Sequence, residues 1–176
     1  MKIHLGCGPK YFPGWYHIDA LEYDHVDMVS EVNNLDFINE GSVEIVYASH
    51  LLEHFGRNEY KDVLRSWYRV LKPNGILRLA VPDFESVLNE YLLNRNIKDL
   101  TGLVIGGQKD IYDYHKMIFD GQLLTEALLE VGFSEVRKWD WRHTEHSSFD
   151  DFSQAYLPHL DKENGRLMSL NLEGIK

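Results

Sequence analysis

The segment Met1-Lys-Ile-His-Leu-Gly-Cys-Gly8 decides the fold of this chain. Lys2 to Leu5 predicts a short strand that runs directly into Gly6-Cys7-Gly8. Two glycines at the end of a strand let the backbone pass close to a ligand, because glycine lacks a Cβ and readily takes a positive φ. A pyrophosphate turn also needs a third glycine and a helix start, and Pro9 and Pro13-Gly14 disfavour such a helix. The segment therefore predicts a nucleoside site that requires no phosphate.

Composition limits the classes of protein to consider. The chain has 176 residues, enough for one domain with a sizeable core. Its 28 acidic residues against 18 Lys and Arg give a formal charge of −10, and no basic cluster indicates a nucleic-acid partner. The single cysteine excludes an internal disulfide, and no apolar run is long enough to insert into a membrane. We expect a soluble, cytoplasmic protein.

Strand and helix signals alternate along the chain, which is typical of an α/β protein. The predicted strands are 2–5, 16–20, 25–29, 43–48, 76–81, 133–141 and 167–172, and the predicted helices are 51–71, 85–93 and 122–131. We predict a single-domain, three-layer α/β/α Rossmann-like sandwich over residues 1–176, with a mostly parallel sheet and an antiparallel last strand. Ligands are expected at the carboxyl ends of the strands, with segments 84–121 and 142–165 on the acceptor side.

Two acidic residues at these strand ends are candidates for contact with a nucleoside, and Cys7 lies beside them. Asp19 is placed where a carboxylate could accept two hydrogen bonds from a ribose diol. Asp36 could accept from the exocyclic amine of adenine, although Asn34 and Asp36 also suit a plain Asx turn. Cys7 is interpreted as a small packing residue, because nothing near it in sequence would lower the pKa of its thiol.

Five segments in order resemble the motifs of class I S-adenosylmethionine-dependent methyltransferases, and most of all the small bacterial type 11 branch associated with surface-polysaccharide synthesis. They are His4-Leu-Gly-Cys-Gly8, His17-Ile-Asp-Ala20, Val46-Tyr-Ala-Ser-His-Leu-Leu-Glu-His54, Tyr68-Arg-Val-Leu-Lys-Pro-Asn-Gly75 and Leu79-Ala-Val-Pro-Asp83. The resemblance implies contacts with S-adenosylmethionine. Gly6 and Gly8, with Cys7 between them, would line the methionine part, Asp19 the ribose, Leu35 and Asp36 the adenine, and Ser49 and His50 the sulfonium end.

The chain departs from that family between the first two strands, where a helix is common. Here residues 9–15 leave room only for a loop, and Asp19 follows Gly8 by 11 residues. A dinucleotide fold places its acidic residue about 20 residues after the glycines. The contacts of Lys10, Tyr11 and Phe12 with the cofactor therefore stay open.

Two histidines are candidate catalytic bases for methyl transfer. His115, in Asp113-Tyr-His-Lys-Met117, is the first choice because an ordinary imidazole titrates near neutral pH. His50 is the second choice. For each of the two, the alternative is a purely structural role. Lys116 could hold an anionic acceptor, and the polar loop 142–165 could form a lid or an acceptor wall.

The resemblance implies methyl transfer from S-adenosylmethionine, with S-adenosylhomocysteine as product, to a small-molecule or glycan acceptor. A hydroxyl of a sugar or of a surface-polysaccharide precursor is the expected acceptor. The alternative is a non-catalytic S-adenosylmethionine-binding partner of a glycan-modifying complex. A nicotinamide oxidoreductase is disfavoured because the third glycine is missing.

One segment also matches a zinc-protease pattern. His50-Leu-Leu-Glu-His54 has the order His-x-x-Glu-His, which places two histidines on one face of a helix. The sequence identifies no third ligand, and three protein ligands are usual at a catalytic zinc. We therefore expect no metal from the sequence.

Overall fold

A seven-stranded sheet organises the structure, a computed structural model that describes residues 1–176. Its strand order is β3-β2-β1-β4-β5-β9-β6, and β1 to β5 run parallel while β9 is antiparallel to both β5 and β6. The predicted α/β fold with an antiparallel last strand is confirmed. The strands are β1 (Lys2–Leu5), β2 (Tyr16–Asp19), β3 (Met28–Val29), β4 (Val43–Ser49), β5 (Leu71–Pro82), β6 (Glu135–Lys138), β7 (Tyr156–Leu157), β8 (Arg166–Leu167) and β9 (Ser169–Ile175), and β7 pairs with β8 in a separate small sheet.

Four α-helices connect the strands: α1 (Tyr60–Val70), α2 (Phe84–Asn94), α3 (Thr101–Ile105) and α4 (Gly121–Val131). Two of them begin at an aspartate whose carboxylate accepts from a backbone N–H of the first turn, Asp83 for α2 and Asp120 for α4. Three short 3-10 helices lie at Leu52–His54, Trp141–His143 and Phe152–Gln154. None of the helices has the length and hydropathy needed to cross a membrane.

The predicted helix over 51–71 is wrong in its first half. A single 3-10 turn follows β4, the chain is extended at Phe55, and α1 begins only at Tyr60. His50 has a φ of 49°, so a continuous helix cannot start there. The apolar spacing that predicted the helix belongs to α1, where Val63, Leu64, Trp67 and Val70 are buried.

One face of the sheet carries the apolar core. Alternate residues of the central strands point to this face and pack with the buried sides of α1 and α4; they are Ile3, Leu5, Val46, Ala48, Leu77, Leu79, Leu170 and Leu172. The Trp67 indole N–H donates to the carbonyl of Val32 at 2.7 Å, which joins α1 to the segment after β3. Helices α1 and α4 therefore form the helical layer on this face of the sheet.

The other face of the sheet is polar and nevertheless buried. Its inward side chains are His4, His17, Tyr47, Arg78, Asn171 and Glu173. Aromatic residues from two loops cover it, namely Phe12 and Trp15 from the first loop and Trp139, His146 and Phe149 from the later one. The third layer of the sandwich is thus made of loops and 3-10 turns, since no helix intervenes between β1 and β2.

Ion pairs attach the later loop to the sheet. Arg78 on β5 pairs with Glu173 on β9 at 3.2 Å and with Glu145 in the loop at 3.0 Å. Arg137 on β6 pairs with Glu173 at 2.8 Å, and Lys2 on β1 pairs with Glu145 at 3.0 Å. Since Arg78 and Glu173 are buried, each needs its partner, because an unpaired buried charge costs about 3–5 kcal/mol.

His146 makes the stability of this covering loop depend on pH. Burial, with the charge of Arg78 second, lowers the pKa of His146 to about 4, and neither ring nitrogen has a hydrogen-bond partner. The unfolded chain takes up the proton near its ordinary pKa of 6.5, so the free energy of unfolding falls as pH drops from about 6.5 to 4. In His146→Phe this fall becomes shallower, by up to about 1.4 kcal/mol per pH unit.

Urea denaturation of both proteins at about pH 7 and about pH 5 measures this difference. His4 and His17 remain in both proteins, so their contribution is shared. Identical changes in unfolding free energy between the two pH values would contradict the assignment to His146.

Candidate functional site

A cleft of about 670 Å³ opens at the carboxyl ends of β1, β2 and β4. Its volume lies in the range of small-molecule sites. The lining residues that matter below are Gly6, Gly8, Asp19, Tyr23, Glu31, Val32, Asn33, His50, His54, Asp113, Lys116 and Phe152. The cleft thus lies at the carboxyl ends of the strands, where the sequence analysis expects a ligand.

The glycine turn after β1 forms one wall of the cleft. Gly6 and Gly8 have φ values of 57° and 51°, which glycine takes without strain. A Cβ on Gly6 would lie 2.7 Å from Cδ1 of Leu51, so a larger residue would have to displace the Leu51 side chain and would strain the backbone. Cys7 lies between them but does not line the cleft.

Asp19 joins the ends of β1 and β2. Its Oδ2 accepts from the backbone N–H of Gly8 at 2.7 Å, and its Oδ1 accepts from that of Leu21 at 2.8 Å. The carboxylate lines the cleft, and each of its oxygens can accept a further hydrogen bond. It can therefore hold a diol while it shapes the turn.

Leu35 and Asp36 lie outside the cleft lining, in contrast to the sequence prediction. Leu35 is fully buried in the core, and the Asp36 side chain is 78% exposed, 3.6 Å from Arg69. The segment 31–33 lines the cleft instead. The reason is that β3 ends at Val29, so the residues directly after it reach the cleft.

Residues 34–36 form the Asx turn that was the alternative for Asp36. The Asn34 side-chain oxygen accepts from the backbone N–H of Asp36 at 3.0 Å, and the Asn34 amide donates to the Asp36 carboxylate at 2.8 Å. Glu31 could have been predicted from the sequence, because it is the first acidic residue after the end of β3.

Ser49 and His50 follow β4 but face different surroundings. Ser49 does not line the cleft, and its hydroxyl is buried without a hydrogen-bond partner. His50 lines the cleft, stacks on Phe152 with ring centroids 5.2 Å apart, and has Nε2 3.2 Å from Oγ of Ser169. Burial, with His115 and His54 nearby, lowers the pKa of His50 to about 3, so the imidazole is neutral at physiological pH.

His115 does not line the cleft; His54 does. The His115 Nδ1 is 3.1 Å from the Leu103 carbonyl, and its Nε2 is 3.8 Å from Oε1 of Glu53. The two histidine rings lie edge to face with centroids 4.8 Å apart, and burial lowers the pKa of both. The first predicted base thus stands behind the cleft wall, beside a buried glutamate.

The segment before His115 forms the rim of the cleft. The Asp113 carboxylate accepts from the backbone N–H groups of Gly107 and Lys109, each at 3.2 Å. A Cβ on Gly106 would collide with the Asp113 carbonyl, so the glycine pair lets the loop fold tightly. The loop places Asp113 and Lys116 on the cleft wall.

A second pocket of about 260 Å³ adjoins the cleft at Phe152, which lines both. Its polar lining includes three aspartates and comes largely from the two segments predicted for the acceptor side; the residues are Lys10, Asp99, Asp150, Asp151, Gln154, Tyr156 and His159. Hydroxyl-rich ligands suit such a lining, because carboxylates accept hydrogen bonds and aromatic rings pack on apolar faces.

Comparison with known proteins agrees with this architecture. Residues 18–79 match the sequence profile of a methyltransferase domain family. A search of curated protein sequences found no match. The matched segment, about a third of the chain, covers three of the motifs that carry the methyltransferase resemblance, from Ile18-Asp-Ala20 to the Tyr68–Gly75 turn.

Among solved structures, the chain is similar to a SAM dependent methyltransferase from Archaeoglobus fulgidus (16% identity, TM-score 0.64, covering 99% of this chain and 85% of that one). It is similar to a possible histamine N-methyltransferase from Thermotoga maritima (16%, TM-score 0.64, 99% and 81%). It is also similar to 1,6-didemethyltoxoflavin-N1-methyltransferase from Burkholderia thailandensis (12%, TM-score 0.57, 99% and 70%). At these identities the likeness shows a shared fold.

The geometry around Cys7 predicts an unreactive thiol. Burial, together with the charge of Asp19, raises the pKa of Cys7 to about 12 from 9.0. Three pKa units lower the thiolate fraction about a thousandfold. Iodoacetamide at about pH 8 will therefore label the folded chain at least about 100-fold more slowly than the urea-unfolded chain. Equal labelling rates would contradict the prediction, and the single cysteine makes the reading unambiguous.

Proposed function

We propose that this chain, a methyltransferase of class I fold, transfers the methyl group of S-adenosylmethionine to a hydroxyl of a sugar or of a surface-polysaccharide precursor. The observation that carries the proposal is the cleft in which the Gly6–Gly8 turn and the Asp19 carboxylate meet at neighbouring strand ends. The cofactor assignment agrees with the Burkholderia thailandensis relative, which has S-adenosylhomocysteine bound.

The cleft offers a place for each part of the cofactor. Asp19 would accept from the ribose hydroxyls, and Glu31 with its two following residues would face the adenine. The glycine turn would lie against the methionine part, since it lets the backbone approach closely. His50 would lie at the sulfonium end, because it directly follows β4, the neighbour of β1 in the sheet.

The second pocket supports a hydroxyl-bearing acceptor. Phe152 lines both the second pocket and the cleft, so an acceptor held in the second pocket would lie next to the cofactor and could present one hydroxyl to the methyl group. Transfer is an in-line displacement whose first requirement is the alignment of the two reactants. The acceptor oxygen forms a bond to the methyl carbon, the carbon–sulfur bond breaks, and the sulfonium becomes a neutral thioether.

The acceptor proton then needs a neutral base. His50 is the proposed proton acceptor, because it lines the cleft directly after β4, where the sulfonium end is placed. His115, the first choice from the sequence, is reassigned as a positioning residue, since it touches Glu53 and His54 rather than the cleft. The proposed proton acceptor therefore lies in the cleft wall itself.

Binding of S-adenosylhomocysteine tests the ribose assignment. Asp19→Asn keeps the size of the side chain but removes the charge of the acceptor. Loss of hydrogen bonds to a charged group costs about 1.5–3 kcal/mol, so the affinity falls about 10- to 150-fold by calorimetry. Asp36→Ala is the matched control, and it keeps wild-type affinity because Asp36 lies outside the cleft. Equal losses in the two variants would contradict the site.

Transfer of labelled methyl tests the reaction. The pure chain is incubated with methyl-labelled S-adenosylmethionine and a panel of monosaccharides, nucleotide sugars and short glycans. We expect one labelled O-methyl product with one S-adenosylhomocysteine released per methyl group. In His50→Gln the turnover number falls about 100-fold or more, while Asp36→Ala retains it. Cofactor binding without any labelled acceptor would favour the non-catalytic alternative, and a labelled amine would overturn the hydroxyl assignment.

A further inference from the structure

Three ligand-type side chains meet behind the wall of the cleft, next to the 3-10 turn that follows β4. Oxygen or nitrogen atoms of Glu53, His54 and His115 all lie within 4.8 Å of one another. The two segments are tied at this point, because the backbone N–H groups of Lys116 and Met117 donate to the Glu53 carbonyl at 2.8 and 3.1 Å. The cluster is therefore held by the backbone as well as by packing.

The Glu53 carboxyl is buried and has no hydrogen-bond partner. Its residue is 1% exposed, and neither carboxylate oxygen makes a hydrogen bond. Buried polar groups in folded proteins are almost always paired, so an unpaired carboxyl needs an explanation. The Glu53 carboxyl is thus buried without a group that compensates for the loss of its hydration.

The two histidines present one ring nitrogen each. Nδ1 of His54 is 3.2 Å from the Tyr114 carbonyl, and Nδ1 of His115 is 3.1 Å from the Leu103 carbonyl. A carbonyl only accepts, so each Nδ1 carries the hydrogen and each Nε2 keeps a lone pair. Metal-bound histidines are oriented in this way, with the second nitrogen donating to a carbonyl or carboxylate.

We propose that Glu53, His54 and His115 hold a divalent transition-metal ion, through the carboxylate and the two Nε2 atoms. Two histidines and one carboxylate form the donor set of catalytic zinc and of non-haem iron sites, both of which keep open positions. Bonds of about 2.0–2.2 Å require ligand atoms about 3–3.5 Å apart, so the three side chains would have to move together from separations of up to 4.8 Å. The zinc-protease pattern in the sequence supplied only Glu53 and one of the histidines; the fold adds His115.

His54 is the one ligand of the three that lines the cleft, so open positions of the ion would reach the cleft on the His54 side. On the proposed function, they would receive the acceptor hydroxyl, and the ion would lower the pKa of that hydroxyl as it does for bound water. His50 would remain outside the ligand set, with its Nδ1 3.6 Å from Glu53. This role rests on the proposed function, whereas metal binding does not.

Metal binding to the full, tag-free chain tests the site. The protein is stripped with a chelator, dialysed, and titrated with Co²⁺, whose visible absorption reports coordination, and with Zn²⁺ by calorimetry. We expect one ion per chain. Glu53→Gln and His115→Ala each weaken binding at least about tenfold, the loss usual for altered metal shells. His143→Ala is the control, because its side chain is 82% exposed and outside the cluster, and it keeps the affinity.

Two readouts keep a negative result informative. Circular dichroism and S-adenosylhomocysteine affinity should be unchanged in Glu53→Gln, which separates loss of the metal from loss of the fold. Failure of the wild type to bind either ion, or binding that survives in both Glu53→Gln and His115→Ala, would overturn the site. A wild type that binds Zn²⁺ but not S-adenosylhomocysteine would support the metal site and count against the proposed function instead.

Discussion

The buried ion pairs of Arg78 hold the rest of the structure in place. The polar face of the sheet has no helical cover, so the loop that crosses it must be fastened to the strands. Arg78 does this by pairing with Glu173 on the neighbouring strand and with Glu145 in the loop. Hydrophobic packing alone would not fix the register of such a loop, whereas paired charges in a dry interior tolerate little displacement.

The same loop carries residues that shape the functional end of the sheet. After its attachment at Glu145, the chain continues to the 3-10 turn Phe152–Gln154, which packs on β5 and β9. Phe152 thereby stands between the cleft and the second pocket and stacks on His50. The missing helix after β1 thus has a consequence beyond the fold, because the loop layer that replaces it delivers a wall of the proposed acceptor site.

Local sequence patterns predicted the strands and helices whose buried side chains recur at regular spacing. They failed where the position of a residue depends on contacts with a distant segment. The strands and the core side of α1 follow from alternation and helical spacing. The end of β3 at Val29 was predicted, but Leu35 and Asp36 were assigned to the adenine from the resemblance, whereas residues 31–33, directly after the strand, line the cleft. The third member of the cluster at Glu53 could not be predicted either, since His115 arrives through backbone hydrogen bonds between segments about 60 residues apart.

The cleft wall and the cluster behind it combine neutral histidines with a buried carboxylate, and protein groups alone do not satisfy both. A base must be neutral to accept a proton, and burial keeps His50, His54 and His115 neutral by lowering the pKa of each. The same burial makes the Glu53 carboxylate costly, because three uncharged imidazoles do not offset its charge. A proton on Glu53 removes the cost, but the one O–H of a neutral carboxyl can donate to only one of the two Nε2 atoms. A divalent cation satisfies the carboxylate and both lone pairs at once, which is why the proposed metal accounts for the whole cluster rather than for one residue of it.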